Sequence, residues 1–442
     1  MKAKFNLLCL LLFCIFSYTA CKKVPDRKPG EKEVVPPHKD DEMVIWGGSP
    51  ALRQSLLDSI RLITGNTDPV NIEKCLSCDG QLELWSGEAI KLFGSETVRG
   101  GSKSRVSASG TETVYYSLNF DIRFPFNKEA LRPSDFKIPP FPIKSTNDKR
   151  ITVAIFDSGL DPALSISREA ATCIVEGQNG WNVVAGTDNI RDDVPSRHGT
   201  VVTGYVHVPY LTELDILPVK VLDNTGASSL FKFLCAIAFA ANSDVDIINA
   251  SLGFYYYDAT PPYLLTDYIE EMLTKKGILL VTAAGNADPG ADASALAFGI
   301  PSGELRNIDR HYFLPGSLSG KLKNIICVTT VNEPGGMLAV NNTQNYSVNN
   351  VTVGVLADST ISGAGYGMFL HPFENKYIDG SSFATPKMTR EVALWLIKNG
   401  MFDAPFDRDD ILQRMKNDGF LTTSSDLTGS IRNGLLLKPS LY

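Results

Sequence analysis

Gly380-Ser381-Ser382-Phe383-Ala384-Thr385-Pro386 places a serine where a strand or loop turns into a helix, behind a glycine around which the backbone can fold tightly. Upstream lie Asp157-Ser158-Gly159 and His198-Gly199-Thr200, an acid and a base of the kind a serine nucleophile needs. They run in the order Asp, His, Ser, one of several chain orders in which unrelated serine hydrolases carry these three groups.

The surrounding sequence reads as alternating strand and helix, which implies α/β architecture with a parallel sheet between helix layers. Ile151 to Phe156 is a short apolar run delivering Asp157 to a strand's end. Further strands are expected at Leu217 to Leu222, Val245 to Asn249, Ile278 to Thr282 and Ile325 to Thr330. Helices are expected over Leu230 to Ala241, near Tyr263 to Lys275, and over Phe383 to Lys398, with Pro386 in or near the last one's first turn. In such sheets sites gather at the carboxyl ends of the strands, where the candidate residues lie.

With Ala284-Gly285-Asn286 and Gly-Ser-Ser-x-Ala-x-Pro also in place, the chain resembles a subtilisin-like serine endopeptidase over roughly Ile151 to Leu396. The resemblance implies a three-layer catalytic domain acting on polypeptide substrates through Asp157, His198 and Ser382. It also implies that Asn286 completes an oxyanion hole. Ser251-Leu252-Gly253 resembles the family's substrate-binding edge, with Ala283, Ala284 and Gly285 as the opposite wall of the main pocket and Gly226-Ala227-Ser228-Ser229 as a second edge. These residues suggest a pocket for large apolar or aromatic side chains, with Tyr255 to Tyr257 lining a neighbouring subsite. Departures from the family pattern are Ser381 for threonine, Phe383 for methionine and Val202-Thr203 for valine-alanine, none of which removes a reacting group. The competing reading is a catalytically silent binding or scaffolding lipoprotein of the same fold.

At 442 residues and 43% hydrophobic, the chain is long enough for two folded units and a tail. Net charge is −7 with no basic cluster in the folded region, which argues against a nucleic-acid partner. Lys2 and Lys4 precede the apolar run Phe5 to Phe16, then Ser17, Thr19 and Ala20 before Cys21. This resembles a bacterial lipoprotein signal, departing from the pattern at Tyr18. It implies cleavage after residue 20, lipidation of Cys21, and membrane anchoring facing the periplasm or the cell surface; the protein is expected to be a monomer. Plain secretion is the alternative, and both export the chain.

Residues 21–42, charged and proline-bearing, are expected to form a flexible tether. A small α+β domain is expected over residues 43–147, and the peptidase domain over 148–442. In the small domain, Ser49-Pro50 starts a helix whose Leu52, Leu56, Leu57, Ile60 and Ile63 share one face. Leu82 to Leu92 is expected as a pair of strands broken at Ser86-Gly87, and Val114 to Phe124 as a strand with one buried face. A proline-rich connector, Pro133 to Pro142, closes the unit. Whether this domain is a removable prodomain or a permanent accessory is open from sequence.

No metal site is assigned. His207, His311 and His371 lack partners at ligand spacing. Asp188, Asp192 and Asp193 are expected in a solvated acidic loop, although they could bind calcium as loops in many relatives do. The chemistry requires no cofactor. With Cys9, Cys14 and Cys21 set aside, Cys75, Cys78, Cys173, Cys235 and Cys327 remain. Cys75 and Cys78 are expected as a local disulfide rather than half of a zinc site, with Cys235 and Cys327 as small buried core residues.

Overall fold

The computed structural model describes residues 38–77, 81–97, 105–107, 112–123, 149–161, 179–209, 211–257, 260–361, 366–402 and 405–437. The signal segment, Cys21, most of the tether, Cys78, Cys173 and the connector 133–142 lie outside these residues.

The N-terminal domain is an antiparallel sheet in the order β2-β3-β1-β5-β4, with β1 His38–Gly47, β2 Asn71–Lys74, β3 Leu82–Ser86, β4 Arg105–Ser107 and β5 Thr113–Arg123. Helices α1 (Pro50–Thr64) and α2 (Glu88–Thr97) cover one face. Ser49 caps α1 by accepting from Leu52 N–H, and Pro50 opens the helix where its missing N–H costs nothing. The expected helix face is buried against Met43, Ile45 and Trp85.

Two expectations change here. The strand begins at His38, inside the expected tether, because β5 pairs with His38 and Lys39 and the His38 ring meets Phe120 edge-on at 5.8 Å. The second half of Leu82 to Leu92 is α2 rather than a strand. Gly87, at φ 140°, turns the chain, and Ala89, Ile90 and Phe93 then fall at helical spacing on the core.

The larger domain is a mostly parallel sheet in the order β20-β21-β16-β14-β12-β10-β6-β8-β7. Its strands are β6 Ile151–Asp157, β7 Trp181–Asn182, β8 Leu214–Lys220, β10 Ile247–Ala250, β12 Leu279–Ala283, β14 Ile325–Asn332, β16 Val353–Leu356, β20 Leu421–Thr423 and β21 Leu435–Leu437. β6, β8, β10, β12 and β14 are buried on both faces, as their near-continuous apolar runs require. Helices α4 (Leu230–Ala241) and α5 (Tyr263–Ile269) cover one side. Helices α3 (His198–Val206), α7 (Ser381–Lys398) and α8 (Arg408–Asn417) cover the other. This is the expected three-layer arrangement.

The uncovered face of the N-terminal sheet packs on α4 and α5, so parts of β5 that alternation would expose are buried. Trp46 meets Tyr268 edge-on at 5.0 Å, and Phe120 stacks on Phe254 at 5.1 Å. Asn119, fully buried, accepts from Phe231 N–H at the start of α4. Each such aromatic pair adds about 0.5–1.5 kcal/mol beyond its buried area, whereas the exposed Lys232–Glu73 pair adds at most about 1 kcal/mol. Between these side-chain terms the apolar packing therefore outweighs the ion pair.

Cys75 pairs not with Cys78 but with Cys235 on α4, their Cα atoms 5.7 Å apart. The docking of the sheet on α4 makes this partner available, a contact spanning 160 positions that local spacing could not reveal. Cys327 is the buried free cysteine among the described residues. A peptide map run without reductant is expected to recover the Cys75 peptide joined to the Cys235 peptide. Recovery of Cys75 joined to Cys78 would restore the local pairing.

Candidate active site

Asp157 ends β6, an interior strand between β10 and β8, and is completely buried. Ser158 donates both its N–H and its hydroxyl to Asp157 Oδ1, at 2.8 and 3.2 Å. His198, first residue of α3, brings Nδ1 to 2.8 Å from the same oxygen. The glycine after the histidine permits this approach: a Cβ on Gly199 would stand 2.4 Å from the carbonyl oxygen of Gly159. Gly199 N–H in turn donates to Ser158 Oγ at 2.9 Å, tying the two motifs together.

Ser382 is the second residue of α7, where free backbone N–H groups and the positive end of the helix favour developing negative charge. Helices α3 and α7 pack together, and the His198 ring lies 5.4 Å from that of Phe383, the residue after the serine. The helix starts two residues earlier than expected, so Pro386 is its sixth residue and cannot donate to the carbonyl of Ser382. Ser251 Oγ makes that bond instead, at 2.8 Å, and is itself held by Asn249 Nδ2 at 3.2 Å. The first residue of the expected substrate edge thus braces the serine.

Asn286 follows β12. Its Oδ1 accepts from Ser381 N–H at 3.0 Å and from Ser381 Oγ at 2.9 Å. A backbone N–H can only donate, so these bonds fix which end of the amide faces Ser381 and leave Nδ2 pointing the other way. Asn286 Nδ2 and Ser382 Oγ are both buried and have no hydrogen-bond partner among the described residues. Buried polar atoms of this kind are ordinarily satisfied by water, an ion or a bound group. The support from Ser381 was not foreseen; its identity marked it only as a departure from the family pattern.

The two expected substrate edges are occupied. β9 (Ala227–Ser229) pairs antiparallel with Asp121–Arg123 at the end of β5. On the other side Arg123 and Gly253 exchange both backbone hydrogen bonds, at 3.1 and 2.8 Å. The N-terminal domain thus lays its last described residues between Ala227–Ser229 and Gly253, as a third strand.

The acidic loop is less solvated than expected. Asp188 is exposed, but Asp193 pairs with Lys220 at 2.6 Å, and Asp192 is buried with Oδ2 accepting from Thr200 N–H and Oγ1 at 2.9 and 2.8 Å. No cluster of metal-ligating side chains occurs among the described residues. Burial pushes the Asp192 carboxyl up to about 6, the Thr200 bonds opposing it only in part. A carboxyl raised in the folded state favours folding when protonated, so its contribution is intact below about pH 4 and is lost as pH rises through about 6. The loss is about 3 kcal/mol. Asp192→Asn keeps an acceptor for Thr200 without the charge. Its melting temperature, measured against wild type from pH 4 to 7, is expected to gain on wild type up to pH 6 and hold that gain above. A constant difference would mean that Asp192 does not titrate there.

Residues 148–419 match the subtilase family model (peptidase S8). The chain is 26% identical over 277 residues to subtilisin of Bacillus pumilus, a match covering 60% of this chain and 84% of that protein. It is equally identical over the same length to subtilisin E of Bacillus subtilis, covering 60% of each. Among solved structures, fervidolysin from Fervidobacterium pennivorans, described as a keratinolytic enzyme related to subtilisin, aligns over 93% of this chain and 61% of its own with a TM-score of 0.54. At 16% identity that likeness concerns the fold alone. With the family model spanning more than half of the chain and the Asp, His and Ser segments all inside it, this protein belongs to the subtilase family.

Proposed function

We propose that the protein is an exported serine endopeptidase in which Asp157, His198 and Ser382 form the catalytic triad and Asn286 the side-chain half of the oxyanion hole. Family membership supports serine peptidase activity in general. The observation that carries the finer reading is the pairing of a completely buried Asp157 with His198 at 2.8 Å, the His198 ring lying 5.4 Å from that of Phe383, the residue after Ser382.

In this reading the substrate carbonyl carbon meets Ser382 Oγ while His198 Nε2 takes the hydroxyl proton. Asp157 keeps the other ring nitrogen protonated and stabilises the imidazolium. The oxyanion faces Ser382 N–H and Asn286 Nδ2. Collapse breaks the C–N bond, the leaving amine takes the proton from His198, and water repeats the sequence on the acyl-enzyme. Ser251 and Ser381 act as positioning residues, one on the carbonyl of Ser382 and the other on the amide of Asn286.

The N-terminal domain holds the cleft shut by lending Asp121–Arg123 to both substrate edges. Anchoring through lipidated Cys21 is part of the same proposal, and no helix among the described residues is long and apolar enough to cross a membrane. A fluorophosphonate reacts only with an activated serine, so intact-mass analysis should find one adduct, mapped to Ser382. Absence of label after prolonged exposure, with the domain contact loosened by mild denaturant, would leave the silent-scaffold reading standing.

A further inference from the structure

On the protease reading, the main pocket of the cleft is the space between residues 251–253 and 283–285. A residue whose carbonyl carbon meets Ser382 Oγ, with its oxygen on Asn286 Nδ2, has these two segments on either side of its own side chain, because Ser251 touches Ser382 and Gly285 adjoins Asn286. Two glycines face each other there, which reads as room for a large substrate group. One ring already occupies that room. A Cβ built on Gly253 would stand 2.6 Å from Phe313 Cε1 and 2.7 Å from Cζ, and one built on Gly285 would stand 2.8 Å from Cγ and Cδ2 of the same ring. The ring therefore spans from one wall to the other, and each glycine is in contact with it.

Phe313 is held in place from several sides. It is 2% exposed and belongs to β13 (Tyr312–Leu314), which pairs antiparallel with β11 (Phe254–Tyr256) so that Phe313 opposes Tyr255. Its N–H donates to Ser317 Oγ at 2.9 Å, and the Tyr255 ring meets it edge-on at 5.1 Å. Tyr255 is fixed in turn. Its hydroxyl donates to the carbonyl of Asn286 at 2.6 Å and accepts from Asn345 Nδ2 at 2.8 Å. Swinging Phe313 out would break this packing and expose a buried ring to water.

We infer that Phe313 is the specificity-determining residue of the site, a built-in occupant of the main pocket that restricts cleavage to bonds following glycine or alanine. This rests on the protease reading above and reverses the expectation of a pocket for large apolar side chains.

The test compares kcat/KM of the purified full-length protein on peptide p-nitroanilides that are identical except for glycine, alanine, leucine or phenylalanine before the scissile bond. Occupation of the cleft by β5 lowers all rates by one factor and leaves their ratios intact. Wild type is expected to favour alanine over phenylalanine by at least about tenfold, the scale on which a pocket of fixed size discriminates. Phe313→Gly, and Phe313→Leu as a milder change that spares the fold, are expected to move the ratio toward the large residues. Wild type cleaving after phenylalanine as fast as after alanine would overturn the inference while leaving the protease standing. So would variants with an unchanged ratio. Wild type inert to both a fluorophosphonate and every peptide, even with the domain contact loosened by mild denaturant, would sink the protease reading, and this inference with it.

Discussion

Ser382→Ala is expected to lower kcat for peptide hydrolysis by about 10⁶-fold, the scale measured for the nucleophile in a subtilisin rather than one read from distances here. The substitution deletes only Oγ, an atom that spends no hydrogen bond within the described protein, so the fold should lose little. The carbonyl of Ser382 stays bonded to Ser251, and the N-terminus of α7 is unchanged. Melting temperature within a few degrees of wild type, together with loss of fluorophosphonate labelling, completes the expected result. A variant that retains more than about a thousandth of wild-type turnover would assign the nucleophile elsewhere.

Asn286→Ala is expected to cost about 100- to 1,000-fold in kcat with KM nearly unchanged, because the lost donor serves the oxyanion rather than the bound substrate; this range too comes from a subtilisin. The structural cost is larger than for the serine. Removing Oδ1 strands the N–H and hydroxyl of Ser381, both buried, which would cost about 1–3 kcal/mol unless water enters. Turnover should therefore be compared at a temperature where both proteins are folded. An effect of tenfold or less would remove Asn286 from the mechanism.

Much of the larger domain was legible because a parallel sheet buried on both faces needs near-continuous runs of apolar and β-branched residues. Ile151 to Phe156 and Ile325 to Thr330 have strand length and β-branched content, and both are strands. The candidate site segments were legible for a related reason, since glycines at 159, 199 and 380 stand where backbone must approach closely or turn at positive φ. What stayed hidden depends on contacts between distant segments. The partner of Cys75, the burial of Asn119 and the seating of Arg123 beside Gly253 all follow from docking one sheet on α4 and α5. Phe313 carries no local signal, because only the pairing of β11 with β13 aims it between two glycines. The start of α7 was misplaced because Pro386 argued for an early helix position, while Ser251, far away in sequence, supplied the bond that lets a proline sit deeper.

The covalent tie between Cys75 and Cys235 changes what a break in the chain before residue 149 would accomplish. Two fragments free to diffuse separate on dilution, whereas a tethered occupant keeps an effective concentration in the millimolar range however dilute the solution. Withdrawal of β5 from Gly253 then becomes a unimolecular equilibrium, set by temperature and by competing peptide and indifferent to how much enzyme is present. Lasting liberation of the cleft would await a thiol reductant.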